Sequence, residues 1–212
     1  MQSRQTGYSL VEIVIFLVII GLLVGSILKG QEMIVQARIK NVVSEFNDAT
    51  VAYLSYQDRY RASPGDDPKA ATRWASLGTP GGNGNGYIGG AYGSNTPTDE
   101  SRIYWWHLRA AGFVPGPTQN PGADIQPTNA VGGIFGVQTN GLGLLGLIVC
   151  SSNIPDKVAG GVDVQLDDRK SNSGKMRAFA HTGSDPREAL GATAASAYEE
   201  TADMRYIVCR AM

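Results

Sequence analysis

One stretch constrains this chain more than any other. From Tyr8 to Leu28 it reads YSLVEIVIFLVIIGLLVGSIL; 16 of those 21 residues are apolar or aromatic, and Glu12 is the single charge. As a helix the run extends ~30 Å at 1.5 Å per residue, the thickness of a hydrocarbon core. A helix buried in a soluble domain carries a polar stripe, whereas this one is apolar all round, as a segment meeting lipid or other apolar helices must be. A cleavable secretory signal would have a shorter apolar region and a small-x-small cleavage site, for which Val24-Gly25-Ser26 is the one candidate. A plain single-span anchor satisfies the same length rule. Neither explains a carboxylate one helical turn after Tyr8, because an ionised group in an apolar helix is costly and ordinarily functional.

Seven residues, MQSRQTG, precede the run and end in Gly7. A cut between Gly7 and Tyr8 creates an ammonium near the Glu12 carboxylate. Basic Arg4, then Gly7, Tyr8, Ser9, Leu10 and Glu12 at these offsets, resemble the type IV prepilin signature over residues 1–28. The resemblance implies cleavage after Gly7 by a membrane prepilin peptidase and N-methylation of Tyr8 by the same enzyme. It implies a structural, non-enzymatic subunit of a type IV pilus or related filament, with Glu12 pairing to the Tyr8 ammonium of a neighbour during assembly. The implied partners are the peptidase, other pilin subunits, the assembly platform and the inner membrane. The precursor would cross that membrane once with its head in the periplasm, then enter a periplasmic or extracellular filament. A type II secretion pseudopilin, a membrane-anchored periplasmic binding protein that does not assemble, and a secreted enzyme with an unusual signal peptide are the rival readings. Tyr8 stands where phenylalanine is commoner in the family, and Lys29 where such proteins often carry proline. The basic residues near the span are Arg4 on one side and Lys29, Arg38 and Lys40 on the other, and charge count alone favours the opposite orientation.

Beyond the apolar run the helical pattern continues. Val35, Ile39, Val42, Phe46, Ala49, Tyr53, Tyr56 and Tyr60 alternate at spacings of 4 and 3, which places them on one helical face. Both a coiled coil and a helix laid on a sheet need such a stripe. Ala49 and three tyrosines make poor coiled-coil knobs, which favours the sheet. Ala62-Ser63-Pro64-Gly65 ends the helix. The expected organisation is a leader over 1–7, a transmembrane or filament-core helix over 8–28, its amphipathic continuation over 29–61, and a globular head over 62–212.

Composition matters for the head. Of the 27 glycines in 212 residues, 17 fall between residues 78 and 146, against an ordinary ~7% overall. Asp67 and Pro68 suit the N-cap and first position of a short helix that Gly78 closes. Thr98 can cap a helix from about Asp99 to Ala111, with Ile103, Trp106 and Ala110 on one apolar face and Gly112 just past its end. Strands are expected at 134–138, 144–150, 175–180 and 205–210, a helix over 155–167, and another helix start at Asp185-Pro186. The fold class is therefore α+β: a long N-terminal helix packed on a small antiparallel sheet, with short helices and Gly-rich loops.

The net charge of −1 gives no basic face for nucleic acid, and no specific nucleic-acid partner is expected. Cys150 and Cys209 are the only cysteines, and two thiols alone make a poor metal site. They are either buried free thiols or, in a head outside the cytoplasm, a disulfide closing a loop of about 60 residues. Gly84 to Gly89 satisfies GxGxxG but neither follows a strand nor opens a helix, so no dinucleotide site is expected. Asn83 and Asn85 resemble the middle of a calcium loop, with Asp66 or Asp67 supplying charge from outside; Asp163, Asp167 and Asp168 form a second acidic run. A plain turn is the rival to calcium at both places, and no other cofactor is expected. His107 reads as packing, and Tyr104-Trp105-Trp106 as core in preference to a base- or sugar-gripping face. Four further pieces, GQEMIVQARIKN, YRASPGDDPKAATRW, GGNGNGYIGG and VDVQLDDRKSNSGKMRA, resemble segments of a broad group of prepilin-type proteins. Arg169 follows Asp167-Asp168 where that pattern has glycine.

Overall fold

Helix α1 spans Leu10–Tyr60 without a break in the computed structural model, which describes residues 7, 9–181, 191, 197, 198 and 204–212. Arg4, Tyr8 and the expected helix start at Asp185-Pro186 lie outside the described residues. The chain divides into two units, Met1–Ala37 and Arg38–Met212. In the first, every residue from Leu10 to Leu28 is exposed. In the second, the expected stripe becomes core: Ile39, Val42, Phe46, Ala49 and Tyr56 are buried, joined by Ala52, while Tyr53 and Tyr60 are half-buried. The helix stops where Arg61 turns into the left-handed region at φ 53°, its N–H still bonded to the Gln57 carbonyl at 2.8 Å, and Pro64 follows.

The sheet has four antiparallel strands: β1 (Phe135–Gly141), β2 (Leu144–Pro155), β3 (Met176–His181) and β4 (Arg205–Ala211), in the order β1-β2-β4-β3. Each expected strand is present, and β2 runs five residues further than its apolar pattern, through Ser151, Ser152 and Asn153. Those polar residues stay in the sheet because the loop before β1 satisfies them. Asn129 Nδ2 donates to Ser151 Oγ and the Ser152 carbonyl, and Ser152 Oγ accepts the Ile134 N–H. Strand alternation puts Phe135, Val137, Val149 and Val208 on one face and Ile148, Cys150, Ile207 and Cys209 on the other. Phe46 of α1 meets the first face, its ring 5.6 Å from that of Phe135. Tyr92 and Leu142 cover the second.

Three short helices complete the head: α2 (Ala70–Arg73), α3 (Glu100–Ala110) and α4 (Asp156–Leu166). The single helix expected from Asp67 to Gly78 is instead α2 followed by a 3₁₀ turn over Ala75–Leu77. The break is at Trp74, whose ring packs edge-on to Tyr60 at 5.4 Å, so a tertiary anchor overrides the local helix. Asp99, not Thr98, is the N-cap of α3. Nor has α3 a single apolar face: from Ser101 to Arg109 only Arg102 is not fully buried.

Candidate functional site

The first unit presents a row of side chains with nothing over them. Leu10, Phe16, Leu17, Leu22, Ile27 and Leu28 are each between 59% and 80% exposed. This band forms a large contiguous exposed apolar surface, and its best 18-residue window has a mean hydropathy of 2.9, long and apolar enough to cross a membrane. Its two serines are reconciled to apolar surroundings by local bonds. Ser26 Oγ donates to the Leu22 carbonyl at 2.8 Å. Ser9 and Glu12 form a reciprocal pair: the Glu12 N–H donates to Ser9 Oγ at 3.2 Å, and the Ser9 N–H to the Glu12 carboxylate at 2.9 Å. This is a capping box, and S-x-x-E was its sequence sign. Glu12 thus has a structural task at the start of α1 besides any intermolecular one. Gly21 and Gly25 have open space where a Cβ would stand, one turn apart on the same helix face. Gly7 is exposed, and space is open beside it too.

In the head, the Gly-rich loop is folded around carboxylates. Asp66 accepts the N–H groups of Asn85 and Gly86 at 3.0 and 2.8 Å, one on each oxygen. Glu100, at the start of α3, accepts those of Asn83 and Gly89 at 3.0 and 2.9 Å. The Asn83 and Asn85 side chains turn back on the loop, accepting the N–H groups of Asn85 and Tyr87. Gly82 is required because a Cβ would overlap the Asp66 backbone. The loop is therefore a concave array of N–H donors filled by the protein's own anions. Asp66, Asn83 and Asn85 do meet in space, but they converge through N–H donors, a setting that favours anions over calcium.

Asp67 belongs to a neighbouring network. It accepts from Arg73 at 2.6 Å, Tyr56 Oη at 2.9 Å and the Lys69 N–H at 2.9 Å. Burial pushes its carboxyl up, but these donors outweigh burial and hold it below the usual range. Burial, joined by the hydrogen bond to Asp67 and its charge, pushes the Tyr56 hydroxyl well up, and Arg73 acts against that rise. His107 stacks on Tyr56 at 6.1 Å, and its Nδ1 accepts the Gly65 N–H at 2.9 Å. That assignment leaves Nε2 to donate to the Pro80 carbonyl at 2.8 Å. Burial pulls its pKa down to about 4, so the ring is neutral and structural, as the packing expectation had it.

The acidic run is brought together: Asp163, Asp167 and Asp168 place carboxylate oxygens within 4.8 Å of one another. Each is occupied as a turn cap. Asp163 accepts the Arg169 N–H and the Tyr198 hydroxyl, Asp167 the Met176 N–H, and Asp168 the Lys170 N–H and the Ser173 hydroxyl. Arg169 sits at φ 66°, the left-handed conformation that glycine takes most cheaply. Cys150 and Cys209 are directly opposed on β2 and β4 and form a disulfide, which resolves the choice between free thiols and a bridge. No family model, curated protein or solved structure matches this chain.

Proposed function

We propose that this protein is a structural subunit of a type IV pilus or a related filament, made as a membrane precursor and assembled through α1. The observation that carries this reading is the exposed apolar row of residues 10–28, fronted by Gly7 and interrupted by one carboxylate at Glu12. Such a surface needs a partner that is equally apolar, lipid before assembly and neighbouring helices after it. Cleavage after Gly7 leaves an ammonium on Tyr8, and Glu12 of an incoming subunit pairs with that ammonium on its neighbour. At ~4 Å and an effective dielectric near ~20 the attraction is about 4 kcal/mol before desolvation. That is enough to set register in a bundle whose other contacts are apolar and non-directional. Gly21 and Gly25 permit close helix approach along the same rod.

The Ser9–Glu12 capping box adjusts this mechanism without removing it. Before assembly the Glu12 carboxylate is held by its own helix start, so the apolar segment carries no unmatched charge. Glu12→Gln keeps a capping acceptor but removes the charge, whereas Glu12→Val removes both. Both variants are expected to insert in the membrane and fail to enter filaments. Filament incorporation of Glu12→Gln at the wild-type level would show that capping, not registration, is the task of this residue. The disulfide fits a head outside the cytoplasm, since oxidising compartments are where such bonds persist.

A further inference from the structure

A cleft of about 260 Å³ lies in the head between α1, the residues after α3 and the start of β1. Trp105, Phe113, Phe135, Pro115 and Pro127 make its walls largely ring and proline. Glu45 and Asp48, one turn apart on α1, line it as well. Neither carboxylate has a salt-bridge partner among the described residues. Glu45 takes the Ala130 N–H, but its Oε2 is buried with no hydrogen-bond partner. Burial and the charge of Asp48 push the Glu45 carboxyl up, as expected of an anion without a nearby cation. Trp105 Nε1 is also buried and unmatched. The Arg59 guanidinium already lies 4.6 Å from the centroid of Phe113, so one wall ring engages a cation from outside the cleft.

These features select a ligand class. A neutral hydrophobe would fill the walls and leave the half-buried Glu45 carboxylate without a counter-charge, whereas exposed Asp48 already accepts the Ser44 hydroxyl at 3.3 Å. A bare metal ion would find few oxygens and a wall of rings in place of a coordination shell. An anion is repelled. An ammonium with an apolar coat satisfies carboxylates and aromatic faces together, because its charge is attracted to both. We propose that this cleft binds an organic ammonium on a short apolar body. A free amino alcohol and a lysine side chain both present that chemistry.

The test uses the full chain in maltoside micelles, which carry no ammonium headgroup. Choline is titrated against the indole N–H resonances and by calorimetry, beside 3,3-dimethylbutan-1-ol, which keeps shape and hydroxyl but has no charge. Choline is expected to bind saturably and the neutral isostere about tenfold more weakly. Glu45→Gln is expected to weaken choline about tenfold, and Asp48→Asn by roughly threefold, with thermal unfolding of both variants confirming an intact head. Nα-acetyl-lysine amide, whose side-chain ammonium stays free, in place of choline distinguishes the sources, the tighter of the two marking the physiological one. Equal binding of choline and its isostere, no saturable choline binding, or unchanged choline affinity in both variants would each overturn the proposal.

Discussion

Single residues in this head hold positions that only their chemistry allows. A Cβ at Gly136 would overlap the Tyr92 carbonyl oxygen across the sheet face. Gly136→Ala is therefore expected to destabilise the head by at least about 2 kcal/mol in a urea titration. Arg169 gives the opposite case: exposed, and held at φ 66° directly after two turn-capping aspartates. Arg169→Gly is expected to stabilise by roughly 0.5–1 kcal/mol, and a loss of stability would show that the Arg169 side chain supports the turn. His107 sets a pH dependence. Its pKa falls to about 4 in the folded head from an ordinary 6.5, so the unfolded chain binds more protons between those values. Stability is then fully present above about pH 6.5 and declines as pH falls towards 4, by roughly 3 kcal/mol from this residue. Asp67, held low, adds to the loss in more acid solution, whereas Glu45 and Asp163, pushed up, act against it. Comparing unfolding of the wild type and His107→Asn from pH 7 to 4 isolates the histidine. A constant difference across that range would refute its buried, neutral state.

At the scale of elements, much of the fold was legible. Period-4-and-3 spacing marked the buried stripe of α1, and short apolar runs bounded by turn residues marked the cores of all four strands, because those patterns follow from which residues meet the core. Elements whose register depends on distant partners were not legible. Trp74 breaks a helix to reach Tyr60, and α3 is buried all round because the Gly-rich loop and the sheet enclose it from several sides. The loop's purpose was hidden too: Asn83 and Asn85 left a calcium loop and a plain turn as rivals, and nothing in the sequence pointed to Asp66 and Glu100 filling it. The same S-x-x-E spacing that suggested assembly also spelled a capping box at Ser9 and Glu12. The disulfide joins β2 to β4 across 59 positions of sequence, and in the chain-entropy model such a loop is worth about 4 kcal/mol. The double variant Cys150→Ala, Cys209→Ala is expected to lose about that much, or to fail to accumulate at all. An unchanged unfolding midpoint would contradict this role.

On the scale of the whole molecule, near-neutral average hydropathy conceals two solvents. One unit exposes a continuous apolar surface, and the other folds its polar, glycine-rich loops around a sheet and a disulfide. The apolar helix is long enough to cross a membrane, and the proposed processing at Gly7 would couple delivery to assembly. Intact-mass spectrometry of the protein recovered from membranes, with and without prepilin peptidase, tests that coupling most directly. The account predicts a mature chain beginning at Tyr8 and carrying one added methyl group and an oxidised cysteine pair, appearing only when the peptidase is present. A chain retaining Met1–Gly7 in cells that contain the peptidase, or one starting near Ser26, would contradict it.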